Sequence, residues 1–175
     1  MSDSDIISSL GLALSLFAFF VSIKSYSVAK KSLNISEQQN NERKLGVHLY
    51  YIDAYKWKKE DDVFISFALR ITNKSTIRNT ISKIELHIEY RDKNNVVGKI
   101  KLQPNISVTP VNLKNFSEKI ITPLCLEEKS AKSGWITFKL PHHFKEQLTI
   151  DLYQVIAESI DNETISIDTH IINEV

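Results

Sequence analysis

The sequence is poor in cysteine, glycine and proline and carries almost no net charge. Its one cysteine, Cys125, excludes an intramolecular disulfide, and nothing points to an oxidising compartment. The four glycines stand at positions 11, 46, 98 and 134, too far apart for a glycine-rich phosphate-binding loop. These scarcities exclude disulfide-stapled scaffolds and P-loop nucleotide-binding enzymes.

Charge of one sign is also missing from the larger part of the chain. After Lys44 there are 22 − 5 = 17 basic residues and 21 − 4 = 17 acidic residues, so this part is neutral. Proteins that bind nucleic acid need clustered Lys and Arg to neutralise phosphates and release their counterions. We therefore expect no nucleic-acid partner.

One long run without charge is present, and it lies near the beginning of the chain. From Ile6 to Ile23 there are 18 uncharged residues, which as a helix would extend roughly 27 Å and approach the thickness of a hydrocarbon core. The preceding MSDSD is acidic, whereas a secretory signal begins with positive charge. The sequence predicts a transmembrane helix with a span of about 6–23, within an N-terminal segment 1–44 that precedes a domain over 45–175.

Basic residues follow this span and none precedes it. Lys24, Lys30 and Lys31 are the membrane-flanking charges, and positive residues are retained on the cytoplasmic side of a membrane. We therefore expect a single-pass protein of the bacterial inner membrane, with its N-terminus outside and its C-terminal domain in the cytoplasm.

Small residues recur through the apolar run at alternating spacings of three and four. On a helix they form one continuous narrow stripe: Ser8, Gly11, Ser15, Ala18, Ser22, Ser25, Ala29, Ser32 and Ser36. Small side chains let helix backbones approach closely in lipid, where the hydrophobic effect does not drive helices together. The stripe predicts a packing interface with another copy or with a different membrane protein.

Two other interpretations of the stripe stay open. Serine in an isolated span can bond its own backbone four residues back, with no partner helix. In a ring of copies, Ser8, Ser15 and Ser22 would recur every seven residues on the inner side and give a narrow pore a polar lining.

The segment from Lys24 to Arg43 contains no Pro or Gly, so the sequence predicts that the helix continues through it to about Arg43 as a polar stalk. From Leu45 the pattern changes to alternation, with Val63, Ile65, Phe67, Leu69, Ile71 and then Ile84, Leu86, Ile88, Tyr90 facing inward. Further strands are expected over 46–57, 96–102, 106–113, 119–126, 135–140, 147–157 and 164–172. We expect a mainly β chain, in which an antiparallel immunoglobulin-like β-sandwich, or alternatively a barrel, follows the transmembrane helix.

No residue pattern indicates catalysis, a cofactor or a metal site. Cys125 lies between apolar neighbours and is expected to be a buried, inert thiol. His142 and His143 share one loop but have no helical metal-site spacing. In HLYYIDAYKW, alternation places Tyr51, Tyr55 and Trp57 on the core face with Val47 and Leu49, and Tyr50 on the other face. Because this strand is nearest the stalk, Tyr50 or Trp57 is alternatively a candidate contact with the membrane surface or a partner.

The layout of one span, a polar helix, FALRITNKSTIRNTISKIELHIEY and then SGWITFKLP resembles small bacterial membrane-anchored proteins with an immunoglobulin-like domain. That resemblance implies the fold and brings no functional residues. The layout is also similar to bacterial antiviral effectors that couple membrane helices to a small β-domain sensing a nucleotide messenger, although those usually have two or more spans.

The sequence favours a non-catalytic module whose sandwich binds an unidentified protein or small molecule while its helix assembles with neighbours in the bilayer. The alternative is a membrane-disrupting or pore-forming effector of an antiviral or toxin system. A third interpretation places the domain outside the membrane as an immunity or adhesion module.

Overall fold

The structure is a computed structural model that describes residues 3–108, 118–144 and 148–174. The chain divides into two compact units, Met1–Lys44 and Leu45–Val175. The first unit contains one continuous α-helix, α1, which spans Asp3–Arg43. The predicted extension of the helix to Arg43 is therefore confirmed.

The second unit contains the strands. Within the described residues these are β1 Val47–Lys59, β2 Asp62–Asn73, β3 Asn79–Arg91, β4 Val97–Leu102, β5 Leu124–Leu126, β6 Ala131–Leu140, β7 Thr149–Ser159, β8 Thr164–Thr169 and β9 Asn173–Glu174, with a short 3₁₀ helix at His142–Phe144. One sheet has the order β6-β2-β1-β9 and the other β4-β3-β7-β8, with β5 also paired to β3. Every pairing is antiparallel except β1 with β9. The chain is mainly β and consistent with a sandwich, and the described strands form no closed barrel.

The core lies between the two sheets, because alternate side chains along each strand point to the same side of its sheet. All five inward positions predicted in β2 are buried, as are Ile84, Leu86 and Ile88 in β3, so both alternations are confirmed. The other face of β2 is also partly covered, because Ser66 and Ala68 are buried. Ser66 Oγ accepts from Trp57 Nε1 at 2.9 Å and bonds Thr137 Oγ1 at 2.8 Å, which satisfies these polar groups.

Asn73 fastens the end of β2 to the neighbouring loop and to β5. Its buried amide nitrogen donates to the carbonyl oxygens of Ile77 at 2.7 Å and Glu127 at 2.9 Å. Its amide oxygen accepts from the backbone N–H of Ser75 at 3.0 Å. A buried amide with both ends paired fixes one loop conformation, since the alternatives would leave polar atoms unsatisfied.

The predicted faces of β1 are wrong in its second half, because the register with β2 shifts between Tyr51 and Asp53. One extra residue, Ile52, reverses the alternation, as a β-bulge does. Val47 and Leu49 pack against the core as predicted, and Ala54 continues that row. Tyr55 and Trp57 instead lie on the opposite face, opposite Ser66 and Phe64 of β2.

Several predicted strand limits also need correction. Residues 106–108 form a turn rather than a strand, and residues 109–113 of that prediction lie outside the described residues. Of the strand predicted over 119–126, only Leu124–Leu126 is a strand, with an isolated bridge at Lys119. The strand predicted over 135–140 begins four residues earlier, because residues 131–134 form the start of β6.

Candidate functional site

The small-residue stripe lies along one side of α1. The stripe residues from Gly11 to Ser36 are all exposed. The side chain of Ser8 is not among those that the structure describes. A β-carbon added at Gly11 would meet no atom within 4 Å, so no contact within the described chain requires glycine there. The structure therefore brings the stripe together as a continuous surface.

Two stripe serines use their hydroxyl protons within the helix. Ser15 Oγ donates to the carbonyl oxygen of Gly11 at 2.8 Å, and Ser22 Oγ donates to that of Ala18 at 2.9 Å. This is the backbone bonding expected of serine in an isolated span. Each hydroxyl oxygen can still accept a hydrogen bond from a neighbouring helix.

The apolar surface of α1 is large and uncovered. Between Leu10 and Ile23 the large apolar side chains of the described residues are 48% to 70% exposed. By length and composition the helix is long and apolar enough to cross a membrane, a property that membrane anchors and signal sequences share. The flanking Lys24, Lys30 and Lys31 are exposed on the same helix beyond the apolar run.

A cavity of about 640 Å³ lies within the second unit, at the end of the sandwich that carries the β1–β2 turn. Its apolar lining is Val63, Leu140, Pro141 and Phe144, and its charged lining is Lys56, Lys58, Glu60, Asp61 and Glu174. Trp57 also borders the cavity, although its side chain lies on the other face of β1 and stacks on Phe64. Ligand pockets typically enclose about 300–1,000 Å³ and combine an apolar body with a few polar groups. The volume of this cavity falls in that range, and half of its ten lining residues are charged.

The alternation in the sequence did not predict that the two lysines of this cavity lie on the core side of β1. Alternation from Ala54 places Lys56 and Lys58 on the core side of β1, opposite Ile65 and Val63 of β2. The bulge at Ile52 determines that side, and no glycine or proline marks it in the sequence. Uninterrupted alternation from Val47 would have placed both lysines outside.

The strand β9 contributes an anion to the cavity. Lys56 Nζ lies 2.7 Å from Glu174 Oε1. This hydrogen bond lowers the pKa of the Glu174 carboxyl, and the charge of Lys58 lowers it further. The pairing of β9 with β1 involves two residues of each strand, reinforced by Asn173 Nδ2 donating to Asp53 Oδ1 at 3.3 Å.

Other predicted candidates do not converge on this cavity. Cys125 is exposed rather than buried, because Leu124 and Leu126 take the inward positions of β5. His142 Nε2 lies 3.4 Å from Asp62 Oδ1 near the cavity rim, while the side chain of His143 lies outside those described. In the described parts of the chain, no group of three or more His, Cys, Asp or Glu side chains is arranged to hold a metal ion.

Tyr50 is exposed on the outer face, as predicted from alternation. Lys74 Nζ lies 5.7 Å from the centre of its ring, and the His48 ring stacks on it at 6.4 Å. Arg70 is its cross-strand neighbour in β2. The surroundings of Tyr50 are thus cationic and polar, and the ring is occupied by contacts within the domain.

No family model matches the sequence, and no curated protein matches it. Among solved structures, the chain is similar to an ApaA candidate from Bordetella pertussis, with 10% identity, a TM-score of 0.32 and coverage of 70% of this chain and 86% of that one. It is also similar to the structural-genomics target SoR45, with 12% identity, a TM-score of 0.28 and coverage of 70% and 77%. Neither score is high enough to assign a function.

Proposed function

We propose that this protein is a non-catalytic binding module anchored in the bacterial cytoplasmic membrane by α1. The observation that carries this proposal is the uncovered apolar surface between Leu10 and Ile23. Each square ångström of apolar surface left in water costs about 25 cal/mol, and a bilayer removes that cost. A helix also satisfies its own backbone hydrogen bonds, as a lipid-exposed segment must.

The second unit has a hydrophobic core of its own. Its core is made of side chains from both sheets, and the core residues given in the structure all lie between Ala54 and Ala157. The helix is therefore available as an anchor, and the sandwich is available to bind a ligand in the adjoining aqueous phase. The lysines after the apolar run favour the cytoplasm as that phase.

The stripe supports assembly as the second part of the proposal. In lipid, helix association depends on close packing and on hydrogen bonds across small side chains, and α1 offers both along one side. Every copy of a single-pass protein crosses in the same direction, so two stripes would meet in parallel at the same depth. A second copy is therefore the partner that the stripe fits best.

The native cysteine provides a direct test of anchorage and orientation. Cys125 is exposed, so a membrane-impermeant maleimide should label it only when the reagent reaches the compartment that holds the sandwich. We expect the protein in the membrane fraction, with no labelling in intact spheroplasts and full labelling after permeabilisation. As a matched control, Ser4→Cys combined with Cys125→Ser should be labelled in intact spheroplasts.

Two results would contradict the proposal. Labelling of Cys125 in intact spheroplasts would place the sandwich on the outer side of the membrane. Recovery of the full chain in the aqueous fraction after lysis would show that α1 is not an anchor.

A further inference from the structure

The row of core-facing side chains on β1 changes from apolar to cationic at one end of the sandwich. Ala54 is fully buried in the core, and the next two residues on the same side are Lys56 and Lys58. Inward-facing lysines are costly in a packed core, because charged groups lose hydration there. Here they line the cavity, where the core ends and solvent enters.

Directly beside these ammonium groups lies an apolar surface. Val63, Leu140 and Phe144 are at least nine-tenths buried members of the hydrophobic core that also line the cavity. Phe144 is held by an edge-to-face contact with Tyr90, with ring centres 4.8 Å apart. The cavity therefore joins a fixed apolar surface to two cations, which is the complement of a molecule with an apolar tail and an anionic head.

A carboxylate of the protein already occupies part of the cationic side. Glu174 bonds Lys56 at 2.7 Å, yet its side chain is 73% exposed. Exposed ion pairs of this kind contribute little to stability, and β9 is attached to β1 by a pairing of only two residues. Glu174 thus shows where a carboxylate binds, and a ligand can displace it at little cost.

We propose that this cavity binds a small amphipathic carboxylate, with its tail on the apolar surface and its head between Lys56 and Lys58 in place of Glu174. This inference names a ligand class for the proposed binding module and rests on that function. The remaining acidic lining, Glu60 and Asp61, restricts the ligand to one anionic group. A second carboxylate would meet these like charges.

Octanoate is a suitable probe, because it is soluble at millimolar concentration and has one carboxylate and one alkyl tail. The full chain in nanodiscs is titrated by isothermal calorimetry, and empty nanodiscs provide the blank. We expect saturable binding of octanoate. Butyrate, which lacks the tail, 1-octanol, which lacks the charge, and octanedioate, which adds a second carboxylate, should each bind at least tenfold more weakly.

Two conservative substitutions separate the head-group contacts from general effects. Glu174→Gln removes the competing charge and should tighten octanoate binding about threefold to tenfold, while Lys58→Gln should weaken it by a similar factor. The matched controls are Glu163→Gln and Lys101→Gln, which change the same charges away from the cavity lining and should leave the affinity unchanged.

Three results would overturn the inference: no saturable binding to wild type and Glu174→Gln alike, equal binding of octanol, or equal affinity in Lys58→Gln and Lys101→Gln. Unchanged thermal unfolding of each variant would show that the sandwich is folded in every titration. The labelling of Cys125 decides anchorage separately. Failure of octanoate binding with correct topology would therefore reject the ligand class and keep the anchored module.

Discussion

At the scale of single residues, Tyr153 is the ionisable group that burial perturbs most clearly. Its side chain belongs to the core, with 7% of the residue exposed. Burial, helped by the negative charge of Glu174, raises the pKa of Tyr153 to about 12. The phenol is consequently kept neutral in the folded domain to a higher pH than in an unfolded chain, where its pKa is about 10.

This difference predicts alkaline destabilisation of the sandwich. Between about pH 10 and 12 the folded state binds more protons than the unfolded state, so the free energy of unfolding falls as pH rises. The contribution is complete below about pH 10 and amounts to at most about 3 kcal/mol, from roughly two pKa units. Urea titrations at pH 9, 10, 11 and 11.5 would measure it.

Tyr153→Phe should remove this part of the pH dependence, while Tyr50→Phe, at an exposed tyrosine, should retain it. Equal slopes of unfolding free energy against pH for wild type and Tyr153→Phe would show that the buried phenol is not the cause.

At the scale of elements, the edge of β6 depends on one close approach. The backbone N–H of Trp135 donates to the carbonyl oxygen of Glu118 at 2.8 Å, and that of Ile120 donates to the carbonyl oxygen of Trp135 at 2.9 Å. Together these bonds cover part of an edge strand that would otherwise expose unpaired backbone groups. Gly134 makes the approach possible, since a β-carbon there would lie 2.7 Å from the Glu118 oxygen.

Gly134→Ala should therefore destabilise the sandwich by about 1–3 kcal/mol, because backbone atoms rather than a flexible side chain must move. The measurement is the free energy of unfolding in urea. The control is Gly11→Ala in α1, where an added methyl group meets nothing within 4 Å and the stability of the sandwich should not change. Equal stability of the two variants would mean that the segment before β6 is not held as described.

The elements also show which features the sequence could predict. The buried faces of β2 and of residues 84–88 in β3 were readable, because alternation is uninterrupted there. The length of α1 was readable because no Pro or Gly stands between Ile23 and Arg43. The faces of the second half of β1 could not be predicted, because the single extra residue at Ile52 moves every later side chain of the strand to the opposite face of the sheet. The cavity lysines were lost with it, since their orientation depends on that bulge.

The prediction that Cys125 is buried is wrong for a related reason. The local run of apolar residues suggested burial of all its members, but the strand that contains it is three residues long and buries only its two leucines. Short strands give alternation too few positions to be recognised against a generally apolar stretch. The exposed thiol is a useful reporter for that reason.

At the scale of the whole molecule, the two units differ in the surfaces they offer for binding and for anchorage. The sandwich has its own core and a cavity, while α1 has a long, exposed apolar surface. We assign binding to the sandwich, and anchorage with assembly to α1. Assembly through the stripe goes further than anchorage, because a helix that serves only as an anchor has no need of an ordered row of small residues.

Disulfide crosslinking along α1 in native membranes measures assembly through the stripe. In a Cys125→Ser background, single cysteines replace Ser8, Ser15 and Ser22 on the stripe. Phe20 and Ser27 serve as matched controls, each five residues beyond a stripe position and about 140° around the helix. If α1 assembles through the stripe, we expect crosslinked dimers at the three stripe positions and none at the two controls. Crosslinks of equal yield at all five positions, or at none, would contradict self-assembly through the stripe.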